Sequence, residues 1–160
     1  MSHPSNRPRV RLPLAENADE AKLRAWVQTV RTVNRVHDRM ERALAPHGLS
    51  SAQFEVLAVL GGGDGITQQE LAERLLVTKG NVCGLIDRIE SQGYVARRPD
   101  LADRRVNRLH LTAAGRKVLA RLMPGQVALF MKLLEPMSVA DAKLLRRLLE
   151  DIEDAAVDSE

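Results

Sequence analysis

The chain of 160 residues holds one cysteine, Cys83, which excludes an internal disulfide and any zinc site built on clustered cysteines. No apolar run approaches the ~18 residues of a membrane span, so no membrane partner is expected. Residues 1–17 lack the apolar segment of a secretory signal, and Pro4, Pro8 and Pro13 break any amphipathic targeting helix. These absences predict a cytoplasmic protein. The four histidines (3, 37, 47, 110) are scattered, and His37 with Asp38 and Glu41 shares one helical face without a matching second set. No Gly-rich phosphate loop, metal quartet or nucleophile-with-base arrangement is found. The expectation is therefore no catalytic residue, no metal, no cofactor and no enzyme. Repeats and low-complexity tracts are also absent.

What is present is an ordinary globular composition, 44% apolar and 28% charged, at a length that suits one domain. A net charge of +3 is unevenly spread. Residues 1–14 carry three arginines and no acid, whereas residues 138–160 carry seven acids against three bases. Such asymmetry suits a polyanion met by one face.

From Asp19, apolar residues recur at three- and four-residue steps through Leu23, Trp26, Val27, Val30, Val33, Val36, Met40 and Leu44, predicting a long helix stopped by Pro46-His47-Gly48. Ser50-Ser51-Ala52-Gln53 reads as a capping box opening a buried helix through Phe54, Val56, Leu57, Val59 and Leu60. Gly61-Gly62-Gly63-Asp64-Gly65 is expected as a turn. Thr67 and Glu70 bracket a second capping box, and Thr78, after a tight break at Val77, caps another helix buried through Val82, Leu85, Ile86 and Ile89. Gly93 fits the left-handed position that ends it.

Two strand-like stretches then flank a turn in which Arg97, Arg98, Arg104, Arg105 and Arg108 stand against Asp100 and Asp103. Two short helices followed by a basic hairpin predict a winged helix-turn-helix, whose hairpin reaches a DNA backbone and minor groove. Thr112 caps a helix that Pro124-Gly125 is expected to kink or interrupt, and Ser138 to Asp141 start a last helix striped with Leu144, Leu145, Leu148, Leu149 and Ile152. One winged-helix core cannot cover the long first helix and both C-terminal helices, so a second copy of the chain is expected against them.

The succession Leu49 to Phe54, Gln69-Glu70-Leu71-Ala72, Leu85 to Glu90 with Gly93, Asp103-Arg104-Arg105 and Leu111-Thr112-Ala113-Ala114-Gly115 resembles the multiple-antibiotic-resistance regulator (MarR) family over roughly residues 20–155. The Asp-x-Arg wing followed by Leu-Thr-x-x-Gly is its most specific part. The resemblance implies a mostly helical α+β fold and a homodimeric transcription factor. Such a factor is commonly a repressor released from a pseudo-palindromic operator on double-stranded DNA by a small phenolic or lipophilic effector.

Carried over residue by residue, Arg105 is the wing arginine, Asp103 orients it, and Arg98 and Arg104 are placed for phosphates. Thr67, Gln68, Thr78, Lys79, Gly80, Asn81 and Cys83 complete the expected DNA contacts. Asn81 is suited to adenine, and Lys79 to guanine or a phosphate. Gly80 and Gly84 replace the Ser or Arg of many relatives, which shifts specificity toward DNA shape. Peroxide-sensing relatives carry their cysteine in the first helix, where this chain has Trp26, Val27 and Val30. Cys83 is accordingly read as a small residue facing DNA, with a thiol redox sensor as an alternative. Glu55 and Arg97 fall near the acidic and basic ligand positions of urate-type relatives, whose additional N-terminal helix with its Trp the proline-broken arm does not supply. Trp26 is read as packed at the dimer interface, with a ligand platform as the alternative, and Trp26 and Val30 join Glu55 and Arg97 as the candidate ligand residues. Leu23, Val27, Leu144, Leu145, Leu148, Leu149 and Ile152 are the expected dimerisation residues.

The expected organisation is a flexible basic arm at 1–18, a winged helix-turn-helix lobe at 49–112, and dimerisation helices at 19–48 and 113–156. A winged-helix module that binds protein instead of DNA is the other reading left open.

Overall fold

A computed structural model describes residues 18–75 and 79–157, without the side chains of residues 18, 19 and 79–81. The arm expected up to residue 18 falls almost wholly outside the described residues, as do Leu76, the break at Val77 and the cap at Thr78. The chain divides into two compact units, one closing at Gly48 and the other opening at Leu49.

The first unit is helix α1 (Ala18–Leu44) and a 3-10 turn over Ala45–His47, closed by Gly48 at φ 70°. Proline at the start of that turn and left-handed glycine at its end stop the helix as expected. Leu23, Trp26, Val30 and Val33 are exposed along α1 at helical spacing.

The second unit runs α2 (Ser51–Gly62), β1 (Ile66–Thr67), α3 (Gln68–Leu75), α4 (Lys79–Ser91), β2 (Val95–Pro99), β3 (Asn107–Leu111), α5 (Ala113–Leu134) and α6 (Val139–Val157). Its core joins Phe54, Val56, Leu57 and Leu60 of α2 to Leu71 of α3. Val82, Ile86 and Ile89 of α4 and Val95, Leu109 and Leu111 of the strands complete it. Burial of each such side chain stabilises by roughly 1.5–3 kcal/mol.

The strands form one antiparallel sheet in the order β1-β3-β2, with Arg97 opposite Leu109 and Arg98 opposite Arg108. Strand β1, which pairs Ile66 with Leu109, was not anticipated because two residues are too few to show an alternating pattern.

Two expectations are corrected. The glycine run is not all turn: α2 continues to Gly62. A Cβ on Gly61 would collide with Leu119 of α5, so glycine there permits close helix packing that outweighs its poor helix propensity. Nor does Pro124 interrupt α5, which runs from Ala113 to Leu134 with the proline inside it. The two helical segments on either side propagate through one missing hydrogen bond.

Candidate nucleic-acid interface

The helix-turn-helix is held by its caps. Thr67 N–H donates to Glu70 Oε2 at 2.6 Å, and Glu70 N–H donates to Thr67 Oγ1 at 3.1 Å. These bonds hold the Glu70 carboxyl below its ordinary pKa, the Thr67 backbone contributing most. Thr67 and the half-buried Gln68 therefore stand at the start of α3. At the far end of α4, Gly93 N–H reaches the Glu90 carbonyl (2.8 Å) and Tyr94 N–H reaches that of Ile89 (3.0 Å). With Gly93 at φ 76°, this is the paired bonding of a Schellman cap.

Of the residues expected to read bases, Lys79, Gly80 and Asn81 form the first turn of α4, Cys83 is half-buried, and Gly84 is exposed. The side chains of Lys79 and Asn81, and Thr78 entirely, lie outside the described residues.

The Leu-Thr-x-x-Gly run joins the hairpin to this frame. Thr112 Oγ1 donates to the Gly93 carbonyl at 2.7 Å and accepts from Gly115 N–H at 3.0 Å, while Thr112 N–H bonds the Tyr94 carbonyl. A Cβ on Gly115 would overlap that Tyr94 carbonyl oxygen, so a backbone passes where any other residue carries its side chain.

The wing turn is organised by its two aspartates. Asp100 accepts from the backbone N–H groups of Ala102 (2.7 Å) and Asp103 (3.1 Å) and from the Arg108 guanidinium. The Arg108 bond, with the two backbone donors, lowers the Asp100 pKa to about 2. Asp103 accepts from Arg105 N–H at 3.0 Å and from Nε and Nη2 of its guanidinium at 3.0 and 3.1 Å. Arg105 is nevertheless 91% exposed: it is aimed, not buried. Arg98 and Arg104 are exposed, and neither side chain has a hydrogen-bond or ion-pair partner among the described residues.

The five wing arginines thus divide. Arg98, Arg104 and Arg105 face solvent. Arg108 turns inward to Asp100 and to the Gly65 carbonyl at 2.9 Å, and Arg97 turns back to Asp87 and Glu90 of α4. Burial opposes the Arg97 charge, but those carboxylates raise its pKa overall. Both Nη1 and Nη2 of this candidate ligand residue are thus paired with carboxylates of α4. Glu55 is exposed on α2, whereas Trp26 and Val30 lie on α1 in the other unit.

One cluster had no sequence signal beyond an aspartate at the end of a glycine run. Asp64 accepts from Leu111 N–H at 2.9 Å and from Arg116 at 2.7 Å, with His110 Nδ1 at 3.6 Å. Burial raises its pKa, but the Arg116 and Leu111 bonds outweigh that and leave it lowered.

A sequence model of the MarR family matches residues 47–106. An uncharacterized HTH-type transcriptional regulator of Bacillus cereus is 32% identical over 103 residues, covering 64% of this chain and 68% of its own length. The transcriptional repressor CouR bound to a 23-mer DNA duplex is 30% identical with a TM-score of 0.72, over 85% of this chain and 96% of that one. The chain belongs to the MarR family.

Two further solved structures carry the comparison to ligands. CouR of Rhodococcus jostii bound to p-coumaroyl-CoA is 25% identical with a TM-score of 0.70, covering 77% of this chain and 87% of that one. A mutant MarR of E. coli complexed with operator DNA is 26% identical with a TM-score of 0.72, covering 82% and 95%. The hairpin β2–β3 of this MarR-family regulator is therefore the wing, and α4 the second helix of its helix-turn-helix. No helix among the described residues is long and apolar enough to cross a membrane.

Proposed function

We propose that this MarR-family chain is a cytoplasmic, homodimeric repressor. It binds a pseudo-palindromic operator and leaves it when a small phenolic or lipophilic ligand binds. The observation that carries the reading is the wing: Arg105, 91% exposed, is gripped along one guanidinium edge by Asp103, with Arg98 and Arg104 open beside it. Arginine suits a narrow minor groove through its long stem, planar fork and permanent charge.

The first turn of α4 enters the major groove, where Lys79, Asn81 and neighbouring Thr78, Gly80 and Cys83 meet base edges, and Thr67 and Gln68 approach phosphates. Residues 49–112 form the DNA-binding lobe, and the helices at 19–48 and 113–156 pair with those of a second copy. Supporting that pairing, all of α6 is exposed, including Leu144, Leu145, Leu148, Leu149 and Ile152. Release by an effector draws on the p-coumaroyl-CoA complex of CouR.

The test is a duplex titration at several salt concentrations, using DNA fragments recovered from the genome by the wild-type protein. Phosphate neutralisation releases counterions, so affinity should fall steeply, by roughly 0.9 log units per contacted phosphate for each log unit of salt. Binding to protein, with no salt-dependent affinity for any recovered duplex, would favour the interaction-module reading.

A further inference from the structure

Arg97 stands in the middle of β2, and charge alone groups it with the DNA-facing cations of the wing. Its geometry gives it another task. The guanidinium donates to Asp87 and to Glu90, and the Arg97 backbone N–H donates to Glu90 Oε1 at 3.1 Å. Asp87 and Glu90 are three residues apart on α4, so one planar fork spans two carboxylates on neighbouring positions of the helix. The strand that leads into the wing is thereby tied to the helix whose first turn holds Lys79 and Asn81.

We propose that Arg97, Asp87 and Glu90 form a positioning strut that fixes the wing to α4. Arg105 and the first turn of α4 then meet one duplex as a single rigid surface. The inference rests on the DNA-binding reading above. None of the three residues is assigned a contact with DNA.

The strut's exposure argues against a role in stability alone. The side chains of Asp87 and Glu90 are 65% and 37% exposed against 23% for Arg97, so solvent screens the carboxylate ends of both pairs and limits what they add to folding. Orientation is what they supply. Two contact points joined rigidly present the second at high effective concentration once the first has bound, whereas a loose wing must be ordered during binding. Arg108 braces the opposite side of the hairpin through Asp100 and the Gly65 carbonyl, which leaves the α4 side to Arg97.

The test exploits a difference in sign. Asp87→Asn with Glu90→Gln removes two negative charges from the DNA-binding lobe, which by long-range electrostatics alone tightens binding to a polyanion. Loss of the strut instead weakens it, by about tenfold, with the salt slope unchanged because no phosphate contact is lost. Arg97→Lys keeps the charge but not the fork, and should weaken binding several-fold. Affinity and salt slope are measured on a genomic duplex recovered with the wild-type protein, and thermal unfolding is followed for every variant.

Equal or tighter binding by a folded Asp87→Asn/Glu90→Gln protein overturns the strut, as does an Arg97→Gln slope that falls by about one ion per subunit. Should the double variant not fold, undiminished binding by Arg97→Lys overturns it equally. If the wild type shows no salt-dependent duplex affinity, the DNA-binding reading fails instead. Salt-dependent wild-type binding with an unaffected double variant removes the strut alone.

Discussion

Asp103 and Arg105 divide one task between two side chains of one turn. Asp103 accepts three hydrogen bonds from Arg105, one from its backbone and two from its guanidinium, leaving that cation pointing into solvent. Arg105→Ala should therefore weaken operator binding by about 1–3 kcal/mol and reduce the salt slope by about one ion per subunit, while the preferred central sequence changes little. Asp103→Ala removes only the orienting partner and should imitate it more weakly. Binding curves on a randomised duplex library at two salt concentrations read all of these; unchanged affinity and slope in Arg105→Ala would remove the wing contact.

Asp100 offers a second residue-scale test. Arg108, then the Asp103 and Ala102 amides, holds its folded pKa at about 2 against an ordinary 3.8. Because the folded value is the lower one, its contribution to wing order is fully present above pH 3.8 and lost as pH falls through about 2. Carboxyl titration by NMR should place Asp100 near 2, and Arg108→Gln should move it back toward 3.8. An Asp100 that titrates at its ordinary value with Arg108 present would contradict the inward-turned arrangement.

At the scale of elements, glycines in similar sequence contexts have opposite roles. Gly115, at the start of α5, sits against the Tyr94 carbonyl, and its missing side chain lets Thr112 reach the Gly93 carbonyl. Gly84, inside α4, has no neighbour that an added Cβ would meet. Gly115→Ala should destabilise by roughly 1–3 kcal/mol or more, since a backbone carbonyl cannot step aside as a side chain can. Gly84→Ala should raise stability by about 0.5–1 kcal/mol through helix propensity. Chemical denaturation measures both, and a Gly115→Ala protein as stable as wild type would refute the close approach.

Helix starts were legible because capping needs particular side chains at particular spacing, as at Ser50 with Gln53, Thr67 with Glu70, and Thr112. Hydrophobic period and Gly93 likewise marked α4 and its end. Other features depended on partners distant in sequence. At Gly61, inside α2, an added Cβ would meet Leu119 of α5, and Arg108 turns inward partly to the carbonyl of Gly65. Counting charges showed five wing arginines, but only the fold separates the three exposed to solvent, Arg98, Arg104 and Arg105, from Arg97 and Arg108, which turn back to α4 and to the Gly65 carbonyl.

At the scale of the whole molecule, the proposed dimer answers the apolar surface that one copy leaves wet. Leu148 and Leu149 of α6 are 47% and 40% exposed, and Leu144, Leu145 and Ile152 share their stripe. Replacing Leu148 and Leu149 together by Asp should weaken both self-association and operator binding, each leucine otherwise contributing roughly 1.5–3 kcal/mol on full burial. Analytical ultracentrifugation beside a duplex titration checks this, and a double variant that sediments as a dimer with full DNA affinity would contradict it.

A two-fold dimer also carries two α4 helices and two wings to the same DNA. The most direct measurement of the central claim is therefore a footprint of the wild-type protein on duplex DNA recovered from the genome. The expected result is a pair of symmetric half-sites about one helical turn (~10 bp) apart on one face of the duplex. Protection of a single unrepeated half-site at full affinity would contradict it.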